Sequence, residues 1–278
     1  MPVHHLLKGA TLWGLDGLYD SMAEGIEALR KTGVTSIEAS DFVITDEIAV
    51  RVREAGMRWV VQCYPMKPDD LDAALELALK VDAIMLNAHA GTPHSSAGDT
   101  EELVSALIEK AAAADVKLVF ETHRGRITQD LYRTSHLVRQ VPGMRLNLDV
   151  SHYVVCEEKP GPIEALAPLF WPLLDRVDMI HGRIGNGQQI QVDFGDGAGE
   201  LPQLYRRFWA ETMRQWRLRS PVGATLIFTP ELGPPPYAIV DTRGAEFSNR
   251  WEQAEIMWKL AQQAWADSMT TSEKLWGK

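Results

Sequence analysis

The feature that most constrains this chain is a strict alternation of short apolar runs with longer amphipathic stretches. The strand-like runs fall at Gly9–Gly14, Ser36–Ala39, Arg58–Tyr64, Ala83–His89, Lys117–Thr122, Arg145–Val150, Asp178–Arg183 and Thr225–Glu231. The first helix opens on Ser21-Met22-Ala23-Glu24, a capping-box spacing, carries Met22, Ile26 and Leu29 at i, i+4 and i+7, and stops before Gly33. Helical patterns follow at Asp46–Ala55, Pro68–Lys80, Asp99–Ala114, Thr128–Gln140, Pro162–Leu174 and Leu201–Trp216. A last one places Trp251, Ala254, Trp258, Ala261 and Trp265 on one stripe. The tail after Asp267 is polar and is expected to fray, apart from Trp276.

Eight alternating pairs imply βαβ units and a parallel sheet, and so an α/β protein with a closed (β/α)8 (TIM) barrel over a single domain, residues 1–278. A doubly wound open sheet is the competing arrangement. It calls for a Gly-rich dinucleotide turn after the first strand, and none is there; Gly195–Gly199 reads as a loop.

Composition narrows the function. With 28 Lys+Arg against 38 Asp+Glu, the net charge of −10 is unsuited to gripping nucleic acid. No apolar run approaches the roughly 18–20 residues of a membrane span, and the N-terminus shows no signal-peptide pattern. Two cysteines make no disulfide framework, so a reducing cytoplasm is the expected location, and Cys63 and Cys156 are expected to be buried. His4, His5 and His136 read as surface residues. Ser151 lacks a nucleophile elbow.

Barrel strands are buried on both faces, so polar residues at their C-terminal ends mark a site. Strands five to eight end in Glu121, Asp149, His181 and Glu231. Each acid alone is also an ordinary helix cap or ion-pair partner. All four on successive strand ends converge on the barrel axis, where three buried carboxylates need a compensating divalent cation. One imidazole with three carboxylates suits Mn²⁺, Mg²⁺ or Co²⁺ best and accommodates Zn²⁺. His89, with Asn87 on the same strand, and His123, His152 and Arg183 fall near the same mouth. Trp13, Gln191 and Tyr237 are candidates for a substrate wall, against ordinary loop packing.

Glu121 in FETH, Asp149 in LDVSH, His181 in MIHGR and Glu231 in TPELG resemble the metal set of the xylose isomerase-like barrel superfamily. Their order is similar to that of D-tagatose 3-epimerase-type ketose epimerases. The stretches ETHRGR, DVSHYVV and FTPELGPPPY look like the branch labelled sugar phosphate isomerase/epimerase. The resemblance implies one divalent ion, Mn foremost, on those four ligands. It also implies Glu121 and Glu231 as the acid/base pair, His152 as a substrate contact, and a small sugar as partner, with homo-oligomers common among relatives. The expected activity is isomerisation or epimerisation through an enediolate. One departure is local: the epimerases follow the strand-seven His with an acid, an Arg and a Pro-Gly pair, whereas this chain has Gly182, then Arg183 at a different spacing. That keeps open a lyase or hydrolase of 3-keto-glycosides acting by β-elimination. An endonuclease IV-like phosphodiesterase and a non-catalytic sugar sensor are the readings furthest from it. No phosphate site is evident, so an unphosphorylated sugar is expected.

Overall fold

In the computed structural model, which describes residues 4–270 and 274–277, eight strands lie side by side in chain order: β1 (His5–Thr11), β2 (Ser36–Ser40), β3 (Arg58–Cys63), β4 (Met85–Ala88), β5 (Leu118–Glu121), β6 (Leu146–Leu148), β7 (Val177–Gly182) and β8 (Thr225–Pro230). All pairs are parallel, and β8 closes on β1 through Leu6↔Leu226 and Leu7↔Ile227. The expected eight-stranded barrel is therefore the fold. Around it run α1 (Met22–Lys31), α2 (Asp46–Glu54), α3 (Asp72–Lys80), α4 (Ala97–Ala113), α5 (Leu131–Gln140), α6 (Val150–Cys156), α7 (Ala167–Leu174), α8 (Glu200–Arg219) and α9 (Arg250–Thr270).

Local chemistry sets these boundaries. The Ser21, Thr45, Ser96 and Asp130 side chains accept from the first-turn N–H groups of α1, α2, α4 and α5. The first strand begins earlier than its sequence pattern suggested. His5–Thr11 pairs with β8, and Trp13–Leu15 folds into a 3-10 turn. The sequence pattern also passes over α6, because Val150–Cys156 carries β-branched residues and follows a strand without a break. Asp149 makes the helix by accepting from Ser151 N. Near their prolines, the helices expected from Pro68 and Pro162 start later, behind 3-10 turns at Pro68–Leu71 and Glu164–Leu166.

Two apolar regions result. A small set, Val60, Met85, Val119, Met179 and Ile227, fills the barrel lumen, and a larger one packs the strands against the helices. On α9 the buried stripe includes Gln253, Met257, Leu260, Ala261 and Ala264, while Trp251, Trp258 and Trp265 flank it half-buried. The core-facing stripe thus differs from the one drawn on the tryptophans. Buried Lys8 ties α9 to β1 through Glu255 at 2.6 Å. The helix continues through Thr270, and Trp276 is fully buried, donating Nε1–H to Pro162 O; residues 271–273 and 278 of the tail lie outside the described residues. Cys63 is buried, but Cys156, at the end of α6, is exposed, contrary to expectation. His5 and His136 are exposed; His4 is half-buried against Trp216.

Candidate active site

Side chains on a strand alternate faces, so the lumen is built in steps of two residues. Two positions beyond the apolar layer of Met85, Val119 and Met179 stand Asn87, Glu121 and His181; two further stand His89, His123 and Arg183. On β8, Ile227 is followed inward by Thr229 and Glu231. The apolar floor thus supports a polar layer at the C-terminal mouth.

Glu121, Asp149, His181 and Glu231, all buried, each offer one ligand atom within 4.8 Å of the others. A fourth acid, Glu38, braces the cluster from across the barrel. His181 Nε2 lies 2.6 Å from Glu38 Oε2 on β2. An ionised carboxylate only accepts, so Nε2 carries the proton and Nδ1 faces the cluster. Asn87 spends both amide protons on carboxylates, Glu38 Oε1 and Glu121 Oε2, each at 2.7 Å. Asn147 Nδ2 adds a donor to Glu121 at 3.3 Å.

What stays unpaired identifies the chemistry this layer suits. His181 Nδ1 makes no hydrogen bond and faces Glu231 Oε2 at 2.8 Å, an oxygen that is ion-paired with Arg183 at 2.5 Å, and Glu121 Oε1 is without a partner. Buried polar atoms are costly when unpartnered. Two such atoms, His181 Nδ1 and Glu121 Oε1, within a cluster of four ligand-bearing side chains fit a divalent cation, whose ligands would be Glu121, Asp149, His181 and Glu231.

The electrostatics agree with this fit. Burial raises the Asp149 carboxyl to about 6 despite the Arg183 guanidinium beside it. Burial also opposes charge on Glu121, but the His89 and His181 imidazoles outweigh it and hold the carboxyl well below the usual range. For Glu231, burial is outweighed by Arg183 and His181, giving about 2. Burial works against protonating His181, but Glu38, Glu231 and Glu121 push its pKa well above the ordinary histidine value. A proton and a divalent cation therefore compete for Nδ1.

Above the cluster opens a cavity of about 440 Å³, lined by Glu38, Gln62, His89, His123, Arg183 and Glu231 on its polar side, and by Trp13 and Tyr237 among others. Glu231 reaches this space, whereas Glu121 lies beneath it, 2.8 Å from the Nε2 of His89, which lines it.

No protein-family model and no curated protein sequence matches the chain. Solved structures do. A xylose isomerase domain protein from Alicyclobacillus acidocaldarius superposes with a TM-score of 0.58 at 13% identity, covering 95% of this chain and 99% of that one. A xylose isomerase-like TIM barrel protein from Mycobacterium smegmatis, solved in complex with magnesium, gives 0.56 at 13% identity over 88% and 89%. D-psicose 3-epimerase from Clostridium cellulolyticum H10, solved with D-tagatose, gives 0.55 at 15% over 94% and 98%.

The fold is that of the xylose isomerase-like TIM barrels.

Within this barrel the four expected ligands come together, and His89, His123, Arg183, Trp13 and Tyr237 line the cavity above them. Arg183 donates Nε–H to Asp149 Oδ2 at 3.1 Å and sits 2.5 Å from Glu231 Oε2, with Nη1 left unpartnered. Its guanidinium stands over the Tyr237 and Trp13 rings. One expected substrate contact, His152, and one expected wall residue, Gln191, do not line this cavity. His152 is fully buried behind His123, ring centroids 4.1 Å apart; neither nitrogen makes a hydrogen bond, and Nε2 lies 3.6 Å from Asp149 Oδ2. Gln191 holds both the N–H and the C=O of Gly233. A Cβ on Gly233 would lie 1.9 Å from the Trp13 ring, so Gln191 supports the backbone against which Trp13 packs. Sequence reasoning missed Glu38, Gln62 and Tyr64. The signal was there: a glutamate in SIEAS and a glutamine in RWVVQCY, polar residues inside runs that barrel burial should leave apolar.

Proposed function

We propose that this protein is a divalent-metal-dependent sugar isomerase or epimerase that moves a proton at the carbon beside a carbonyl. The observation that carries this reading is the convergence of four buried ligand atoms, with His181 Nδ1 and Glu121 Oε1 unpartnered, on the floor of a cavity of ligand size. The likeness to a magnesium complex and to an epimerase solved with D-tagatose supports it. A bound divalent cation, Mn²⁺ foremost, supplies Lewis-acid polarisation of a substrate carbonyl. Glu231, ionised and open to the cavity, takes the carbon-bound proton from one side. On the other side His89 stands between Glu121 and the cavity, so exchange with Glu121 runs through its imidazole. Arg183, with Nη1 free of partners, donates to a substrate oxygen. Trp13 and Tyr237, edge-to-face at 5.0 Å, bound the wall and exclude water.

Arg183 also favours a second reading. A cation beside Glu231 could hold a departing oxygen, turning the same proton abstraction into β-elimination from a 3-keto-glycoside. The test is incubation of the Mn²⁺-loaded protein in D₂O with free ketoses and with 3-keto-glycosides, followed by NMR. Deuterium at the carbon beside the carbonyl with the skeleton intact is the expected result. Release of the aglycone selects elimination, and no exchange on any sugar refutes both.

A further inference from the structure

The cavity continues away from the ligand cluster to a second wall whose character is different. Leu12, Met22, Phe42, Val43 and Tyr64 line it, and besides Glu38, Arg183 and Glu231 at the cluster end, Asp16 and Arg126 are the charged side chains of the cavity. Phe42, on the 3-10 turn Asp41–Val43 that follows β2, is 77% exposed. Its ring faces Tyr64 at 6.0 Å with the planes tilted by 32°. The polar atoms around Tyr64 are already committed. The Tyr64 hydroxyl donates to Gln62 Oε1 at 2.6 Å and stands 2.9 Å from the Ser40 hydroxyl, which itself donates to Gln62 at 3.0 Å. Gln62 in turn places its amide nitrogen 2.8 Å from His89 Nε2. Tyr64 thus offers ring surface rather than a hydroxyl. The Arg126 guanidinium stacks on that ring at 5.3 Å.

A second sugar ring would bring several hydroxyls to this wall and find few partners, whereas an apolar ring would bury against it at no polar cost. The whole cavity, about 440 Å³, falls within the roughly 300–1,000 Å³ of sites for drug-sized ligands. We infer that the substrate is a glycoside that carries a ketone on its sugar ring, whose sugar occupies the cluster end and whose apolar, aromatic aglycone lies between Phe42, Tyr64 and Met22. The inference rests on the sugar-directed reading of the cluster and names the substrate class for it.

The test separates the two. Phenyl β-D-glucopyranoside, methyl β-D-glucopyranoside and cellobiose carry no ketone and report binding without turnover. Isothermal titration of the Mn²⁺-loaded protein with each is expected to show the phenyl glycoside bound at least about tenfold more tightly than the methyl one, the effect of burying one ring face. Cellobiose should gain nothing over methyl. Phe42→Ala, at an exposed position that leaves folding intact, should bring the phenyl-to-methyl ratio towards one, and Phe42→Trp should keep it. Equal binding of phenyl and methyl glycosides, tighter binding of cellobiose, no binding of any of them, or a ratio untouched by Phe42→Ala overturns the proposal. A preserved phenyl preference without deuterium exchange on any keto sugar would leave the subsite standing and remove the proposed reaction.

Discussion

Replacing Glu38 by glutamine is expected to weaken Mn²⁺ binding although Glu38 is not a ligand. Its Oε2 accepts the His181 Nε2 proton at 2.6 Å, and its Oε1 accepts from Asn87 at 2.7 Å. Both acceptors are needed, and both sit at a side chain only 2% exposed. A glutamine offers one oxygen and one NH₂. Whichever way the amide turns, it faces a donor with a donor, at either His181 or Asn87, and one of the two must rotate. If the imidazole turns, Nδ1 leaves the cluster. Loss of such an outer partner typically costs about 10–100-fold in metal affinity, or about 1.4–2.7 kcal/mol. Isothermal titration with Mn²⁺ measures the change directly, and ¹⁵N spectra of the His181 ring report its tautomer. Loss of a negative charge would weaken cation binding by itself, so Glu38→Asp is the control. It keeps the charge but draws the carboxylate back by one methylene. Loss of affinity in both variants identifies orientation as the cause; loss in the glutamine variant alone identifies charge. Glu38→Gln binding Mn²⁺ within twofold of the parent, with the His181 tautomer unchanged, would refute the reasoning.

Other consequences are as direct. Glu121→Gln and Glu231→Gln should fold normally, by circular dichroism and thermal melting, and lose deuterium exchange; near-normal exchange in both removes the acid/base pair. Because three carboxylates raise the His181 pKa, Mn²⁺ binding at pH 7 should release about one proton and weaken as pH falls; titration in buffers of different ionisation enthalpy counts it. At the opposite end of the barrel, Asp178 is opposed by burial but held at about 2 by Arg145, Lys117 and Arg219. Its folded pKa lies below the unfolded value of about 3.9, so its stabilisation is complete above that pH and is lost as pH falls towards 2. Asp178→Asn should therefore cost about 2 kcal/mol in urea unfolding at pH 7 and converge with the parent near pH 2. Gly182→Ala would set a Cβ 2.3 Å from the Phe228 ring and 2.9 Å from Met257 Sδ, and should lower unfolding stability by about 1–3 kcal/mol while Mn²⁺ stoichiometry is retained.

The sequence by itself determined the barrel and the acids and imidazole of its mouth. Strand and helix periods are local, and eight repeats of one βαβ unit leave little choice of architecture. Glu121, His181 and Glu231 were legible because strand ends in a closed barrel meet at one rim. Asp149 was legible as an acid at such an end, but not as the cap of α6, since VSHYVVC has no helical signature of its own. Only the tertiary structure decided which polar side chains touch. Glu38 and His181 are 143 residues apart and lie on β2 and β7, which are not neighbours in the sheet; they meet because closure and strand tilt bring opposite walls together across the lumen. The same closure placed Gln191 behind Trp13 and His152 behind His123, depths that no spacing along the chain records. Pattern along a strand tells which residues face inward; the distance across a closed sheet depends on register and tilt, which belong to all eight strands at once.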